Sequence, residues 1–349
     1  MTRTIWLIRH AMPDIPLGER WCVGGLCDLP LNRIGRLQAA LLPFAEELRA
    51  VEKVFCSPLR RAFETALPLC GAPRVMPGLE EQVMGVWDGL SFAEIKNRFP
   101  ALYAAREADP SLVPEGAETL GAVRARMTEA LRRCLSESEG DIAVVSHRTA
   151  ISTLTGCRDR LAYTTLSALI WDGERFTPGA VGLRPHPALR DEVCEALLDA
   201  ADADDRLRSH CRAVAALADE LCAALRQKGL SLDAEAVHAA ALLHDIARSE
   251  KDHAALGALW LRELGYEKEA GIVRRHHDPD ATELNEAALV FLADKAVRGS
   301  ERATIDERFA ASLEKCTTSE AREAHARRYE AAKAIQNEIN RLCEEGLIR

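Results

Sequence analysis

Three short apolar runs in this sequence are each followed closely by a histidine or an arginine. Residues 4–8 lead into Arg9 and His10, residues 53–56 are followed by Arg61, and residues 141–145 are followed by His147. A neutral imidazole is a good nucleophile, and a guanidinium group stays charged and binds oxyanions with a planar fork. Together these two residue types suit chemistry at a phosphate group.

The elements that would position these side chains are strands of a parallel sheet. Each run has the length and the continuous apolar character of a strand that is buried on both faces. Open α/β sheets bind their ligands just outside the carboxyl ends of their strands. One such run could simply be a strand with a polar end, but three of them predict converging cations at one sheet edge, as an anion site needs.

With their neighbours, these segments resemble the histidine phosphatase superfamily, also called the phosphoglycerate mutase-like family. The matching segments follow one another in the family's order over residues 1–183: Arg9-His10-Ala11, residues 28–39, residues 57–66, residues 79–89 and Val145-Ser146-His147. The resemblance implies an α/β domain with a mostly parallel sheet that is flanked by helices.

The same resemblance implies a covalent reaction that needs no cofactor. His10 would attack phosphorus and carry a phosphohistidine, while the phosphoryl oxygens would be held by Arg9, Arg61 and His147. Glu81 lies four residues before Gly85, as the acid of the family does, and would protonate the leaving oxygen. The adjacent Glu80 is expected to point elsewhere.

Two residues depart from the family pattern, each standing where glycine is usual. Ala11 adds only a methyl group, whereas Arg148 places a bulky cation directly after the second histidine. Arg148 either lines the substrate pocket, which we favour, or crowds it. The extended loop and the Trp-Asn pair of the mutase branch are not found in the sequence, which favours a phosphatase over a mutase. Residues 21–31 resemble the α-ribazole phosphatase branch.

The second half of the sequence has a different character. After residues 183–187, which read as a linker, the periodicity predicts helices only, so we expect domains at 1–185 and 186–349. His210, His244 and Asp294 fall on apolar helix faces. A buried carboxylate without a partner is costly, so this pattern indicates metal ligation or ion pairing.

The order His210, His244-Asp245, Asp294 resembles the HD superfamily of metal-dependent phosphohydrolases, with a core at residues 206–300. His253, His276 and His277 resemble the extra ligands of branches that hold two ions. The resemblance implies one or two divalent ions (Fe, Mn, Zn or Mg) and hydrolysis of a nucleotide or related phosphate ester. Alternatively, this half is a nucleotide-sensing or docking module that regulates the first. Four cations could contact phosphate or simply face solvent: Arg274, Arg275, Lys295 and Arg298.

Composition limits the other possibilities. The 349 residues suffice for two domains, and the net charge of −9 argues against a general nucleic-acid binder. Eleven scattered cysteines without a Cys-x-x-Cys pair predict free thiols in a reducing compartment. No apolar run approaches the ~18 residues of a membrane span, and none reads as a signal peptide. We therefore expect a cytoplasmic enzyme acting on small phosphorylated metabolites or nucleotides, of undetermined oligomeric state.

Overall fold

The computed structural model describes residues 2–109, 111–157, 159–278 and 283–343. It divides into two compact units, Met1–Pro187 and Ala188–Arg349. The first is an α/β unit and the second is mostly helical, so the predicted fold class is confirmed for both. The functional domain limits at 1–185 and 186–349 stay a prediction.

A twisted sheet forms the centre of the first unit. Its strands in the described residues are β1 (Arg3–Arg9), β2 (Lys53–Cys56), β3 (Arg74–Val75), β4 (Ile142–Ser146), β5 (Leu166–Trp171) and β6 (Phe176–Pro178). The spatial order is β3-β2-β4-β1-β5-β6. The first four of these are mutually parallel, and β5 and β6 run antiparallel to their neighbours. The carboxyl ends of β1, β2 and β4 therefore meet at one edge, as the three apolar runs predicted.

Helices cover both faces of this sheet. They are α1 (Arg33–Ala40), α2 (Arg60–Cys70), α3 (Phe92–Arg98), α4 (Pro100–Ala108), α5 (Leu120–Ser136) and α6 (Arg148–Thr155). Residues 91–108 have helical periodicity, but the helix is divided at Phe99, because Pro100 lacks an N–H and disfavours helical backbone in the residue before it.

Side chains from both faces of the central strands are buried, which explains their continuous apolar sequence. Leu7 of β1 and Val144 of β4 pack in one core with Met127 of α5. Ile8 of β1 packs on the opposite face with Ala62 of α2. Burial on both sides is typical of parallel strands in α/β proteins.

The start of α1 shows how one sequence motif sets local structure. Asn32 is the N-cap of this helix, and its side chain accepts a hydrogen bond from the Gly35 N–H at 2.8 Å. A Cβ atom on Gly35 would overlap the carbonyl oxygen of Met12. The glycine therefore lets α1 lie directly against the loop that follows β1.

The second unit is built from helices. They are α7 (Asp191–Ala200), α8 (Asp205–Gln227), α9 (Ala234–Leu243), α10 (His253–Leu264), α11 (Glu267–Arg274), α12 (Glu286–Lys295), α13 (Ile305–Leu313) and α14 (Ser319–Cys343). The helical sequence pattern of residues 191–226 is interrupted between α7 and α8, where Asp202 has a φ of 59°. The described residues include no helix both long and apolar enough to cross a bilayer.

Two features of this unit differ from the sequence prediction. The expectation of no strand after residue 187 is wrong, because β7 (Val297–Arg298) and β8 (Glu301–Arg302) pair as a small hairpin. Strands of two residues are too short to show an alternating pattern. Helix α13 was not predicted, although Thr304 forms a capping box with Glu307 at its start.

Candidate functional sites

His10 lies directly after β1, and backbone contacts fix its orientation. The backbone N–H of His10 donates a hydrogen bond to the Ser146 carbonyl oxygen at 2.9 Å. Its Nδ1 lies 2.7 Å from the Ala11 carbonyl oxygen, which can only accept, so we assign the proton to Nδ1 and a lone pair to Nε2. Burial, with the charges of Arg61 and Arg9, holds the pKa of His10 well below its usual value. The imidazole is therefore neutral, as a nucleophile must be.

Arg9 is held beside His10 by a carbonyl group and an aromatic ring. Its Nη1 donates to the Leu161 carbonyl oxygen at 2.5 Å, and its guanidinium carbon lies 3.9 Å from the centre of the Tyr163 ring. Burial lowers the pKa of Arg9 to about 10. The side chain therefore stays cationic near neutral pH while its position is fixed by two contacts.

His147 and Arg61 lie behind the first two residues and have no exposed surface. The His147 ring centre is 5.0 Å from that of His10, and its Nε2 lies 2.8 Å from the Ser57 hydroxyl oxygen. Arg61 donates from Nη1 to the Cys27 carbonyl oxygen at 2.6 Å and so holds the loop that precedes α1. Burial, with the charge of Arg61, holds the pKa of His147 well below its usual value, so the imidazole is neutral beside His10. Neither His147 nor Arg61 is among the described residues that line the cavity next to His10.

Glu81 is nearly buried at the start of α6. Its Oε1 accepts from the backbone N–H groups of Gln82 at 2.9 Å and Ala150 at 3.1 Å, and its Oε2 accepts from that of Thr149 at 3.1 Å. The positive end of the helix dipole favours a carboxylate at this point. Glu80 points elsewhere, as expected: it accepts from the Gly78 N–H at 2.8 Å.

Sequence reasoning missed Arg126, which fixes the loop that carries Glu81. From α5 its Nη1 donates to the carbonyl oxygens of Gly78 at 3.0 Å and Glu80 at 2.8 Å, and its Nη2 donates to that of Glu81 at 2.9 Å. Glu118 holds the guanidinium in place with two further bonds of 2.9 Å. Since Arg126 and Glu81 are 45 positions apart in the chain, no local motif connects them.

A cavity of ≈ 430 Å³ opens beside these groups. Its wall includes three of the predicted residues, Arg9, His10 and Glu81. Further arginines and several apolar side chains complete it, among them Arg20, Arg106, Arg148, Arg160, Trp21, Cys22, Trp87 and Phe92. Arg148 therefore lines the cavity and leaves it open, which supports the first of the two roles considered for it.

Six of the seven predicted metal ligands of the second unit lie in two groups of three. The first group contains His210, His244 and Asp294, and the second contains His253, His276 and His277. In the first group, Asp294 Oδ1 lies 3.2 Å from His210 Nε2 and 3.8 Å from His244 Nε2.

Asp245 lies between the two groups. Its Oδ2 is 3.6 Å from His244 Nε2 in the first group. Its Oδ1 is 3.1 Å from His253 Nε2 and 3.6 Å from His276 Nε2 in the second. One carboxylate thus contacts ligand atoms of both groups.

Hydrogen bonding shows that these residues fit a cation. The Nδ1 atoms of His244 and His276 lie 2.8 and 2.7 Å from the carbonyl oxygens of Ala241 and Val273, so both carry their proton on Nδ1. Their Nε2 atoms are buried and have no hydrogen-bond partner among the described residues. Two imidazole lone pairs thus face the Asp245 carboxylate with no proton between them, an arrangement that a cation would stabilise.

A cavity of ≈ 630 Å³ reaches both ligand groups, with His210, Asp245, His277 and Asp294 in its wall. Of the four cations suggested from the sequence, Lys295 and Arg298 line it, and Arg274 and Arg275 are not among its described lining residues. The other cations in the wall were not anticipated: Arg206, Arg248, Arg308 and Lys315. Arg308 lies on α13, which explains why it was missed.

Two family profiles match different parts of the chain. The family profile of the histidine phosphatase superfamily, branch 1, matches residues 5–173, and that of the HD domain matches residues 207–299. A bifunctional protein of Mycobacterium tuberculosis is 32% identical over 154 residues, which are 42% of each chain. The chain therefore spans less than half the length of that relative.

Two further matches concern one kind of phosphatase. The glucosyl-3-phosphoglycerate phosphatase of Mycobacterium tuberculosis is 27% identical over 180 residues, which cover 48% of this chain and 80% of that protein. The structure of a mycobacterial glucosyl-3-phosphoglycerate phosphatase covers 52% of this chain and 100% of its own, with 23% identity and a TM-score of 0.46. By its family profiles, the chain belongs to the histidine phosphatase superfamily in its N-terminal unit and carries an HD domain in its C-terminal unit.

Proposed function

We propose that the protein is a two-domain phosphohydrolase whose N-terminal domain hydrolyses a small phosphate monoester. The observation that carries this proposal is His10, a neutral imidazole whose free Nε2 lies among Arg9, Arg61 and His147 at the wall of a cavity. Several matched relatives are phosphatases by name, and two are named for phosphate monoesters, glucosyl-3-phosphoglycerate and phosphoserine.

The reaction has two steps at phosphorus. His10 Nε2 forms a bond to phosphorus as the ester P–O bond breaks, and Glu81 gives a proton to the leaving oxygen. Water then attacks the phosphohistidine, Glu81 takes a proton from it, and the P–N bond breaks to release inorganic phosphate. Among the described residues, Glu81 Oε2 accepts one hydrogen bond, from the Thr149 N–H, which leaves a lone pair for the transferred proton. Arg9 stabilises the charge that spreads over the phosphoryl oxygens.

Trapping of the intermediate tests this proposal. The protein, kept in excess chelator, is mixed with a phosphate monoester whose phosphorus is radiolabelled and is quenched within one turnover. We expect acid-labile, base-stable label on the peptide that contains His10 and release of inorganic phosphate. An unlabelled peptide would overturn the covalent route, and formation of an isomer of the substrate would indicate a mutase instead.

For the C-terminal domain we propose metal-dependent hydrolysis of a nucleotide or related phosphate ester. Seven residues would hold one or two divalent ions, Fe, Mn, Zn or Mg: His210, His244, Asp245, His253, His276, His277 and Asp294. When bound, such an ion supplies Lewis acidity and lowers the pKa of a coordinated water. Lys295 and Arg298 line the same cavity and would position the phosphate oxygens.

Elemental analysis of protein purified without chelator tests the metal proposal. We expect at least one equivalent of a divalent metal in the purified protein, or uptake of at least one equivalent on reconstitution with Fe, Mn, Zn or Mg. Protein that takes up none of them would favour the alternative in which the HD domain senses a nucleotide or docks a partner.

A further inference from the structure

We propose that the substrate of the N-terminal site carries a second anionic group, a carboxylate or a second phosphate, in addition to the phosphate that His10 removes. This inference rests on the proposed phosphatase function and concerns the same cavity. It comes from four arginines of the cavity wall that the reaction at phosphorus does not use: Arg20, Arg106, Arg148 and Arg160.

The charge of the wall exceeds what one phosphate needs. Five arginines line the cavity against two glutamates, Glu19 and Glu81, an excess of three positive charges. The whole chain has a net charge of −9, so the cavity wall is positively charged in a protein that is negatively charged overall. A wall of one sign in a concave site attracts ligands of the opposite sign. A dianionic phosphate ester alone leaves positive charge unmatched.

Two of these arginines are held in position by the protein. The guanidinium carbon of Arg20 lies 4.8 Å from the centre of the Phe92 ring. Arg106 donates from Nη1 to the Leu112 carbonyl oxygen, and its guanidinium carbon lies 5.9 Å from the centre of the Trp87 ring. Stacking fixes a guanidinium group without using all of its N–H donors, so both groups stay available to an anion.

The other two arginines have no fixed partner. Arg148 and Arg160 make no side-chain hydrogen bond or ion pair with the described residues, and both are exposed residues of the cavity wall. Arg148 also adds positive charge near Arg106, whose pKa is lowered by burial and further by this neighbour. Cations that converge without a counter-charge are stabilised when an anion binds between them.

The chain connectivity places the second anion on the leaving-group side. Arg148 follows His147 and begins α6, and the next residue, Thr149, donates its N–H to Glu81. Glu81 must face the oxygen that leaves, because it protonates that atom. Because its backbone adjoins the contact between Thr149 and Glu81, Arg148 is placed to reach the organic part of the ester.

Matched pairs of substrates test the inference, with chelator present to silence the HD domain. The first pair is 3-phosphoglycerate and glycerol 3-phosphate, in which a carboxylate of the first compound is replaced by a hydroxymethyl group in the second. The second pair is fructose 1,6-bisphosphate and fructose 6-phosphate. We expect kcat/KM to be at least roughly tenfold higher for the more charged member of one pair or both, the effect of one charge-assisted hydrogen bond.

A variant locates the effect. Arg148→Gln should reduce this preference by roughly tenfold, because kcat/KM falls more for the charged member than for its partner. Arg124→Gln, at an exposed arginine of α5 outside the cavity wall, is the matched control and should leave the preference unchanged.

The outcomes separate this inference from the proposed function. Hydrolysis with equal kcat/KM within both pairs would overturn the second-anion site and leave the phosphatase intact. A preference that Arg148→Gln does not reduce would overturn the assignment to this arginine cluster. Failure to hydrolyse all four compounds and 4-nitrophenyl phosphate would overturn the phosphatase itself, and the inference with it.

Discussion

The two units of the protein gather their candidate active groups in opposite ways. In the N-terminal unit, cations and a nucleophile lie at the ends of parallel strands, and arginine supplies a permanent positive charge. In the C-terminal unit, imidazoles and carboxylates converge from several helices, and His244 and His276 face Asp245 with unprotonated nitrogens. The first site thus places permanent positive charge beside its nucleophile, whereas the second brings two imidazole lone pairs against a carboxylate, although cationic side chains also line its cavity.

The largest effect that tests this contrast is the loss of the nucleophile. We expect His10→Ala to reduce chelator-resistant phosphatase activity by roughly 10³-fold or more, since removal of a covalent nucleophile disables the whole route. Activity is measured on 4-nitrophenyl phosphate, and circular dichroism checks the fold. Near wild-type turnover in the folded variant would contradict the covalent mechanism.

The reciprocal change is the double variant His244→Ala, Asp245→Ala. It removes one ligand of the first group and the carboxylate between the two groups, so we expect the bound metal to fall below detection. Elemental analysis measures the metal, and the His10 reaction serves as the internal control. Full metal content in the variant would show that the ion sits elsewhere.

Glu81→Gln should have an intermediate effect that depends on the leaving group. General acid catalysis contributes ~10²–10⁴-fold when the leaving oxygen needs a proton, and little when it does not. We therefore expect kcat/KM, which reports the step that expels the leaving group, to fall strongly for glycerol 3-phosphate and little for 4-nitrophenyl phosphate. Equal losses on the two substrates would exclude Glu81 as the acid.

Arg126→Gln should show the same dependence on the leaving group with a smaller amplitude. Arg126 contacts the backbone of residues 78–81 and does not line the cavity, so it acts by positioning Glu81. We expect kcat on glycerol 3-phosphate to fall roughly tenfold with KM nearly unchanged. A general loss of stability would instead lower the rates on both substrates equally. The melting temperature of the variant checks for such a loss.

The smallest effect concerns an ion pair of the second unit that needs no metal. His238 Nδ1 lies 2.8 Å from Asp219 and its Nε2 lies 2.7 Å from Asp191. Hydrogen bonding to Asp219, with the bond to Asp191, raises the pKa of His238 to about 9. The protonated imidazole should stabilise the fold by about 1–2 kcal/mol. The value is this small because water around the largely exposed Asp191 screens its attraction to His238.

The sign of this contribution fixes its pH window. A pKa raised on folding stabilises fully below the unfolded value of about 6.5, and the gain is lost as the pH rises through about 9. Urea unfolding of wild type and His238→Gln should therefore differ most in mild acid and converge in strong alkali. A difference that grows with pH would contradict the assignment.

Most of the N-terminal site could be predicted because its residues lie within short motifs. Arg9 and His10 adjoin the strand that positions them, and the parallel order of β1, β2 and β4 carries them to one edge. The candidate metal ligands were recognisable for a related reason, because helical spacing turned His244 and Asp294 toward an apolar interior. Both patterns are local, so a sequence can show them.

The features that escaped prediction depend on contacts between distant segments. Strand β5 runs antiparallel to β1, so its beginning, not its end, lies beside Arg9 and brings Tyr163 there. Arg126 reaches the Glu81 loop from another helix, and Arg308 comes from α13, whose short amphipathic pattern was too weak to predict. No spacing rule connects such residues, since only the folded chain brings them together.

One wall residue has a practical consequence for chemical labelling. Cys22 lies in the N-terminal cavity, and burial raises its pKa to about 12. Only about one such thiol in 10⁵ is a thiolate near neutral pH, and the thiolate is the form that alkylating reagents and peroxides attack. Maleimide or iodoacetamide should therefore label the exposed Cys70 long before Cys22, so a reporter dye can be attached there without touching the cavity.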